Sequence, residues 1–234
     1  MSIIQVNGHT VFANRLNRES RVLDIGANRG AFALGMRERF ACDCVCVEPN
    51  PALRPFLTSQ PGLKVLSVAL AAQPGSIPFH VSVNSEASSL LGGSLGGWAK
   101  LDEIDVEAMT LPQSLERADW TACDLIKMDI EGSEIEVLES CSDTFLRSVP
   151  QFTIEFHDFC GITPGADIER VAQRFERLGF SMLSTWRSFH GDVVFVQRRR
   201  VGLGLAEFLF AKYWLKNWWG LRRILARTFR GQGA

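Results

Sequence analysis

The sequence predicts an α/β domain, a mainly parallel sheet with helices on both faces. Three observations carry that prediction. From about residue 20 onward, short β-branched apolar runs alternate with helical patterns, the order of elements that builds parallel sheets. The first run feeds a glycine loop, Val22-Leu23-Asp24-Ile25-Gly26-Ala27-Asn28-Arg29-Gly30, at the place where doubly wound folds bind ligands. The chain has 234 residues, 46% of them hydrophobic, which suits one such domain with a well-sized core.

In chain order, strands are expected at 22–25, 44–48, 64–68, 77–83, 105–109, 125–129, 152–157, 180–185 and 193–197. Each is a short apolar run bounded by turn residues. Helices are expected near 31–39, 51–58, 111–118, 133–141 and 165–178. Asn50 before Pro51 reads as a cap followed by proline at the first helical position. Ser133 and Glu136 read as an S-x-x-E capping box. Residues 1–20 are too few for a domain and predict an N-terminal extension, a small hairpin or lid. The domain proper spans 21–200, and 201–234 forms a tail. Gly92, Gly93, Gly96 and Gly97, with Ser88, Ser89 and Ser94, mark a flexible connection. Its part at 84–91 is a candidate contact for an acceptor.

Composition removes several classes. Nothing indicates disorder, collagen or a disulfide scaffold. Cys42, Cys44 and Cys46 alternate along one strand and share a face. No C-x-x-C pair occurs among the six cysteines, so buried apolar thiols are expected rather than a zinc site. Reduced thiols and the lack of a basic, then apolar N-terminus predict a cytoplasmic protein. The net charge of −1 hides an asymmetry. Acids outnumber bases through residue 197, whereas Glu207 is the sole acid in the basic segment after it.

The glycine loop alone is a weak signal. Asp24 discriminates. A dinucleotide would bring an anionic pyrophosphate here, to be met by helix-terminal N–H groups, and a carboxylate would repel it. S-adenosylmethionine carries an ammonium and a sulfonium instead, so the acid suits that ligand. The spacing also departs from G-x-G-x-x-G. Glu48, at the end of the second strand, can accept hydrogen bonds from ribose hydroxyls. Asp24, Gly26, Asn28, Gly30, Glu48 and Asp129 are the expected cofactor contacts.

The loop, together with Val47-Glu48-Pro49-Asn50 and Asp124-Leu125-Ile126-Lys127-Met128-Asp129-Ile130-Glu131-Gly132-Ser133-Glu134, closely resembles the FkbM family of methyltransferases over about 20–197. The resemblance implies a class I methyltransferase (Rossmann-like) fold of seven core strands, the last antiparallel. It also implies O-methylation, often of a sugar hydroxyl on a glycan, glycolipid or natural product. Where the family often has Asp after Thr-Leu, this chain reads Thr110-Leu111-Pro112, and that position receives no role. A non-sugar oxygen or nitrogen acceptor, and a cofactor-binding scaffold recruited by its tail, are the competing readings.

Methyl transfer requires in-line alignment, and an alcohol gains from a base. His157, which titrates near neutrality when unperturbed, is the expected base, with Glu155 orienting it. Asp129 and Glu131 are the further catalytic candidates. Lys127 reads equally well as a buried ion-pair partner. Asp129, Glu131 and Asp158 offer oxygen ligands for a divalent cation such as magnesium, but no spacing demands a metal. His9, His80 and His190 receive no function, although His190, in the turn at 189–191, is a candidate for lining the acceptor side.

In the tail, Lys212, Lys216, Arg223, Arg227 and Arg230 form a helical stripe, with Phe208, Leu215, Trp218, Leu221, Leu225 and Phe229 mostly away from it. The internal lysines argue against a spanning helix. Three readings compete for 205–230. It lies on an anionic membrane, making the protein peripheral at the cytoplasmic membrane face; it packs on the domain or forms a homo-oligomer interface; or, least favoured, it binds nucleic acid.

Overall fold

The computed structural model describes residues 3–81, 102–185 and 189–215. The serine- and glycine-rich connection read at 84–97 and the basic stripe from Lys216 onward lie outside the described residues. The chain opens with a hairpin, β1 (Ile3–Val6) and β2 (His9–Phe12). Next come β3 (Arg21–Ile25), α1 (Ala31–Phe40), β4 (Asp43–Val47), α2 (Arg54–Ser59) and β5 (Leu63–Leu66). β6 (Ala69–Leu70), β7 (Gly75–Val81), β8 (Asp102–Met109) and α3 (Leu111–Arg117) follow. The rest is β9 (Leu125–Met128), α4 (Glu134–Ser140), α5 (Asp143–Ser148), β10 (Gln151–Ile154), α6 (Gly165–Arg177), β11 (Ser181–Ser184), β12 (Val193–Val196) and α7 (Leu205–Phe210).

Seven strands form the main sheet in the order β11-β12-β10-β9-β3-β4-β5. β10, β9, β3, β4 and β5 are parallel, and β12 runs antiparallel to both its neighbours. The last core strand is thus the reversed one, as the family resemblance implies. The runs expected at 77–83 and 105–109 leave this sheet. They form β7 and β8 of a separate three-stranded sheet, β6-β8-β7. Phe79 and Val106 pack inward on Ala69, while Asp105 and Glu107 face outward. Strands buried on one face only suit an antiparallel pair beside the main sheet.

Alternation along the strands decides which residues meet which layer. Leu23, Ile25, Val45, Val47, Ile126, Met128, Phe152 and Ile154 turn toward α3, α4, α5 and α6. Val22, Cys44, Cys46 and Leu125 turn toward α1 and α2. The three alternating cysteines do share one buried face. The second layer is not all helix. The hairpin and α7 cover Val194 and Val196 of β12, with Phe12 and Phe208 in contact. Sandwiched between the sheet and its surroundings, all four residues of β2 are buried.

Local differences from the sequence reading have local causes. α5 was not expected, and Ser142 caps it by accepting from the Phe145 N–H at 3.1 Å. Asn50 caps only a turn: its side chain accepts from Ala52 N–H at 3.0 Å, and α2 begins later, at Arg54. The Ser133–Glu136 capping box does not form, because Ser133 makes no side-chain cap bond. Glu134 satisfies the N–H groups before α4 instead, accepting from Ile130 at 2.9 Å and from Gly132 at 3.1 Å. The capping box that exists is Thr110 with Gln113 at the start of α3. No described helix is long and apolar enough to cross a membrane.

Candidate functional site

The paired strands end at Val47, Met128 and Ile154, shorter than the runs expected to 48, 129 and 157. Glu48, Asp129 and residues 155–157 therefore lie just past the carboxyl edge of the sheet, where open α/β folds bind ligands. A cleft opens there, with the mixture of apolar and polar lining that cofactor sites use. Val47, Val68, Leu70 and Phe79 supply an apolar wall; Asn28, Glu48, Asp129 and Glu131 supply polar groups.

The loop is shaped by backbone. Gly26 has φ 68°, a left-handed conformation that glycine adopts without penalty. A Cβ on it would fall 1.7 Å from the carbonyl oxygen of Asp129, so no other residue fits. Gly26 and Ala27 N–H groups donate to the Val47 carbonyl at 3.0 and 3.1 Å. Gly30, at φ 71°, begins α1 and packs against Leu57 and Leu63. It is not among the residues that line the cleft.

Asp24 also lies elsewhere than expected. It is fully buried beneath the loop and absent from the cleft wall. Its Oδ2 accepts from the Ala33 N–H in α1 at 3.1 Å, and its Oδ1 lies 3.2 Å from Lys127 Nζ. Lys127 stands opposite Asp24 in the β3–β9 register. Its ammonium donates to the carbonyls of Gly26 at 2.7 Å and Ile25 at 3.2 Å. Burial disfavours its charge, but Asp24 and Asp129 outweigh this and hold its pKa above the ordinary value. The pair thus fixes the loop from below, because a buried charge of either sign needs its partner.

Glu48 does border the cleft. Its Oε2 accepts from Asn28 N–H at 2.8 Å and its Oε1 from Asn50 N–H at 2.9 Å. Asn28 offers its N–H from a left-handed φ of 50°. A carboxylate has about four acceptor sites, so two remain after these bonds. Burial raises the Glu48 pKa despite the two N–H groups.

The other wall holds a charged cluster. His157 Nε2 lies 3.2 Å from Glu131 Oε2 and 3.6 Å from Asp129 Oδ1; its Nδ1 is 3.2 Å from Glu134 Oε1. Burial opposes the imidazolium, but Glu131 and Glu134 overcome it and push His157 up to about 11. The neighbouring acids thus favour the imidazolium form, which works against the base role expected for His157. Burial and the Asp129 charge push Glu155 up to about 7. Its expected part as a partner orienting His157 falls to Glu131 and Glu134.

His9, given no function from sequence, joins this cluster. It is 2% exposed, and its Nε2 lies 3.9 Å from Asp129 Oδ2. Burial, then the Lys127 charge, lowers its pKa to about 3, so the ring is neutral. Phe32 meets it edge-on at 5.6 Å. The hairpin is anchored by Asp192, which accepts from Thr10 N–H at 2.9 Å and Thr10 Oγ1 at 2.6 Å. Phe12 N–H donates to Gln151 Oε1 at 2.9 Å. No motif spacing pointed to His9, because only the fold brings the hairpin to this edge. Asp158 stands apart from Asp129 and Glu131, with its Oδ2 2.7 Å from His190 Nδ1 and its Oδ1 accepting the His190 N–H. The Asp129, Glu131 and Asp158 cation set is therefore not assembled.

Comparison with known proteins gives a concordant picture. A model described as the methyltransferase FkbM domain matches residues 24–182. The methyltransferase sdnD of Sordaria araneosa is 25% identical, covering 71% of this chain and 81% of that protein. The 2-O-methyltransferase NoeI of Sinorhizobium fredii is 28% identical over 54% of this chain and 59% of that protein. Among solved structures, M. capricolum TrmK in complex with S-adenosylhomocysteine aligns with a TM-score of 0.42 at 9% identity, covering 95% of this chain and 85% of that one.

Proposed function

The chain belongs to the FkbM methyltransferase family, and from that premise we propose that it transfers the methyl group of S-adenosylmethionine to a hydroxyl oxygen, with a sugar hydroxyl as the favoured acceptor. The observation that carries the reading is Glu48, aimed into the cleft by two backbone N–H groups with acceptor capacity to spare. Those two sites suit the vicinal hydroxyls of the donor's ribose. The apolar wall of Val47, Leu70 and Phe79 suits its adenine. Asn28 borders the same space. Asp24 and Gly30 act indirectly, by holding the loop.

At the reacting end, Asp129 and Glu131 sit on the cleft wall with their side chains about a quarter exposed. They orient the acceptor hydroxyl and take its proton. As the new C–O bond forms, the methyl–sulfur bond breaks and its electron pair stays on sulfur. The hydroxyl becomes strongly acidic along that path, so a carboxylate is a sufficient base. His157 keeps Glu131 and Glu134 in place as a cation. Oxygen as the target is favoured by the name of one relative, a 2-O-methyltransferase. Isothermal calorimetry with S-adenosylhomocysteine tests the donor site, and the absence of binding refutes it. Transfer of label from S-adenosylmethionine to free and lipid-linked glycans tests the acceptor, and exclusive labelling of non-sugar substrates overturns the sugar assignment.

The basic segment supports recruitment to an anionic membrane. α7 docks through Phe208 and the following Ala211 while Leu205, Leu209 and Tyr213 stay exposed at helical spacing. That outward stripe leads into a sequence rich in Trp and basic residues with no further acid, a composition suited to lipid interfaces. Sedimentation with phosphatidylserine vesicles at low salt is the expected result; protein left in the supernatant overturns it.

A further inference from the structure

We propose that His9, Asp129 and Glu155 form a binding site for a divalent cation on the acceptor side of the cleft. The proposal rests on the transfer reading above and supplies the element that selects the acceptor oxygen. One ligand atom from each of the three residues lies within 4.8 Å of the other two. Asp129 and Glu155 follow the ends of the adjacent parallel strands β9 and β10, and β2 brings His9 across to them.

His9 is the independent signal. An imidazole this deeply buried is normally hydrogen-bonded. Among the described residues, neither ring nitrogen of His9 makes a hydrogen bond: Nδ1 has no partner, and Nε2 has only Asp129 at 3.9 Å. The strand that carries the ring is anchored at Thr10 by Asp192, and Phe32 packs against the ring at 5.6 Å. An imidazole nitrogen turned toward two carboxylates is a metal-ligand set.

The local charge agrees. Asp24, Glu48, Asp129, Glu131, Glu134 and Glu155 are carboxylates around this edge, and Lys127 and His157 are the cations facing them. Lys127 is shared between Asp24, the carbonyls of Ile25 and Gly26, and Asp129 at 3.6 Å. The methyl donor adds a single net positive charge. A dication offsets much of the remainder. With bonds of about 2.1 Å it holds adjacent ligands about 3 Å apart, so His9 and Asp129 close by about 1 Å from their present separation. Mixed carboxylate and imidazole ligation suits Mn²⁺. Its open positions take the acceptor hydroxyl and lower that group's pKa. The proton then passes to Glu131, the methyl–oxygen bond forms, and the methyl–sulfur bond breaks with its electrons left on sulfur.

The test is a titration of the full chain, saturated with S-adenosylhomocysteine, with MnCl₂ while electron paramagnetic resonance reads free Mn²⁺. One saturable site per chain is expected. His9→Ala and Glu155→Gln should each weaken it by more than about tenfold while S-adenosylhomocysteine binding and the circular dichroism spectrum stay unchanged. No saturable Mn²⁺ binding by a chain that still binds S-adenosylhomocysteine overturns the metal site and leaves the methyltransferase reading intact. If His9→Ala fails to fold, Glu155→Gln decides, and unchanged Mn²⁺ affinity in that variant overturns the proposal.

Discussion

Glu48 is held in the cleft by two backbone N–H groups, from Asn28 and Asn50, whereas His157 is held by two side chains, Glu131 and Glu134. The same contrast runs through both walls. The donor wall is loop geometry: a left-handed Gly26, a left-handed Asn28 and a carboxylate they position. The opposite side, proposed to meet the acceptor, is a set of mutually dependent charges drawn from the ends of β9 and β10 and from the start of α4. A wall made of backbone should be intolerant of added atoms. A wall made of charges should be sensitive to protonation and tolerant of isosteric change.

Lys127 belongs to both walls, so removing it tests the contrast most severely. Lys127→Met leaves Asp24 buried without a cation, and a loss of about 3–5 kcal/mol in chemical denaturation is expected. A loss below about 1 kcal/mol would mean that the pair does not hold the loop. Gly26→Ala should come next. Its methyl meets the Asp129 carbonyl in a left-handed conformation, and S-adenosylhomocysteine affinity should fall by about 100-fold in calorimetry. Near-normal binding would show that the donor wall yields to added atoms after all.

Glu48→Ala should be milder, costing about 2 kcal/mol of donor binding through the lost hydrogen bonds, with the melting temperature little changed. The smallest effect concerns pH. His157 has a folded value near 11 against an ordinary 6.5, so its proton stabilises the fold fully below pH 6.5. That contribution fades as pH rises toward 11. The stability advantage of wild type over His157→Gln should therefore shrink across this window, as followed by urea unfolding at stepped pH. An advantage that grows with pH would show that His157 is neutral in the folded chain.

The donor wall was legible because its physics is local. A glycine required by a left-handed φ, and an acid at the end of the next strand, sit in fixed places along a short stretch of sequence. The strands were legible from their apolar runs, and the reversed last strand from the family resemblance. Two differences have separate causes. Expected strands overran their carboxyl ends because Asp129 and Glu155 continue the residue pattern after the ladder has stopped. Asp24 was read as facing the ligand, but the parity of β3 places it with Val22 on the α1 side, against Lys127. The charge of His157 was not legible, since it depends on Glu134, whose role at the helix start had been assigned to Ser133 and Glu136. The position of His9 was invisible for a related reason: it depends on hydrogen bonds of Thr10 to Asp192, far away in sequence.

The seam between Gly26 and Asp129 couples the two edges of the cleft. Their backbones leave no room for a methyl group between them, and Lys127 spans the same seam, bonded to the Gly26 carbonyl and 3.6 Å from the Asp129 carboxylate. The loop that receives the donor cannot shift without carrying the carboxylate that meets the acceptor. Any displacement of the loop is therefore passed directly to Asp129, so the two edges of the cleft behave as one rigid piece.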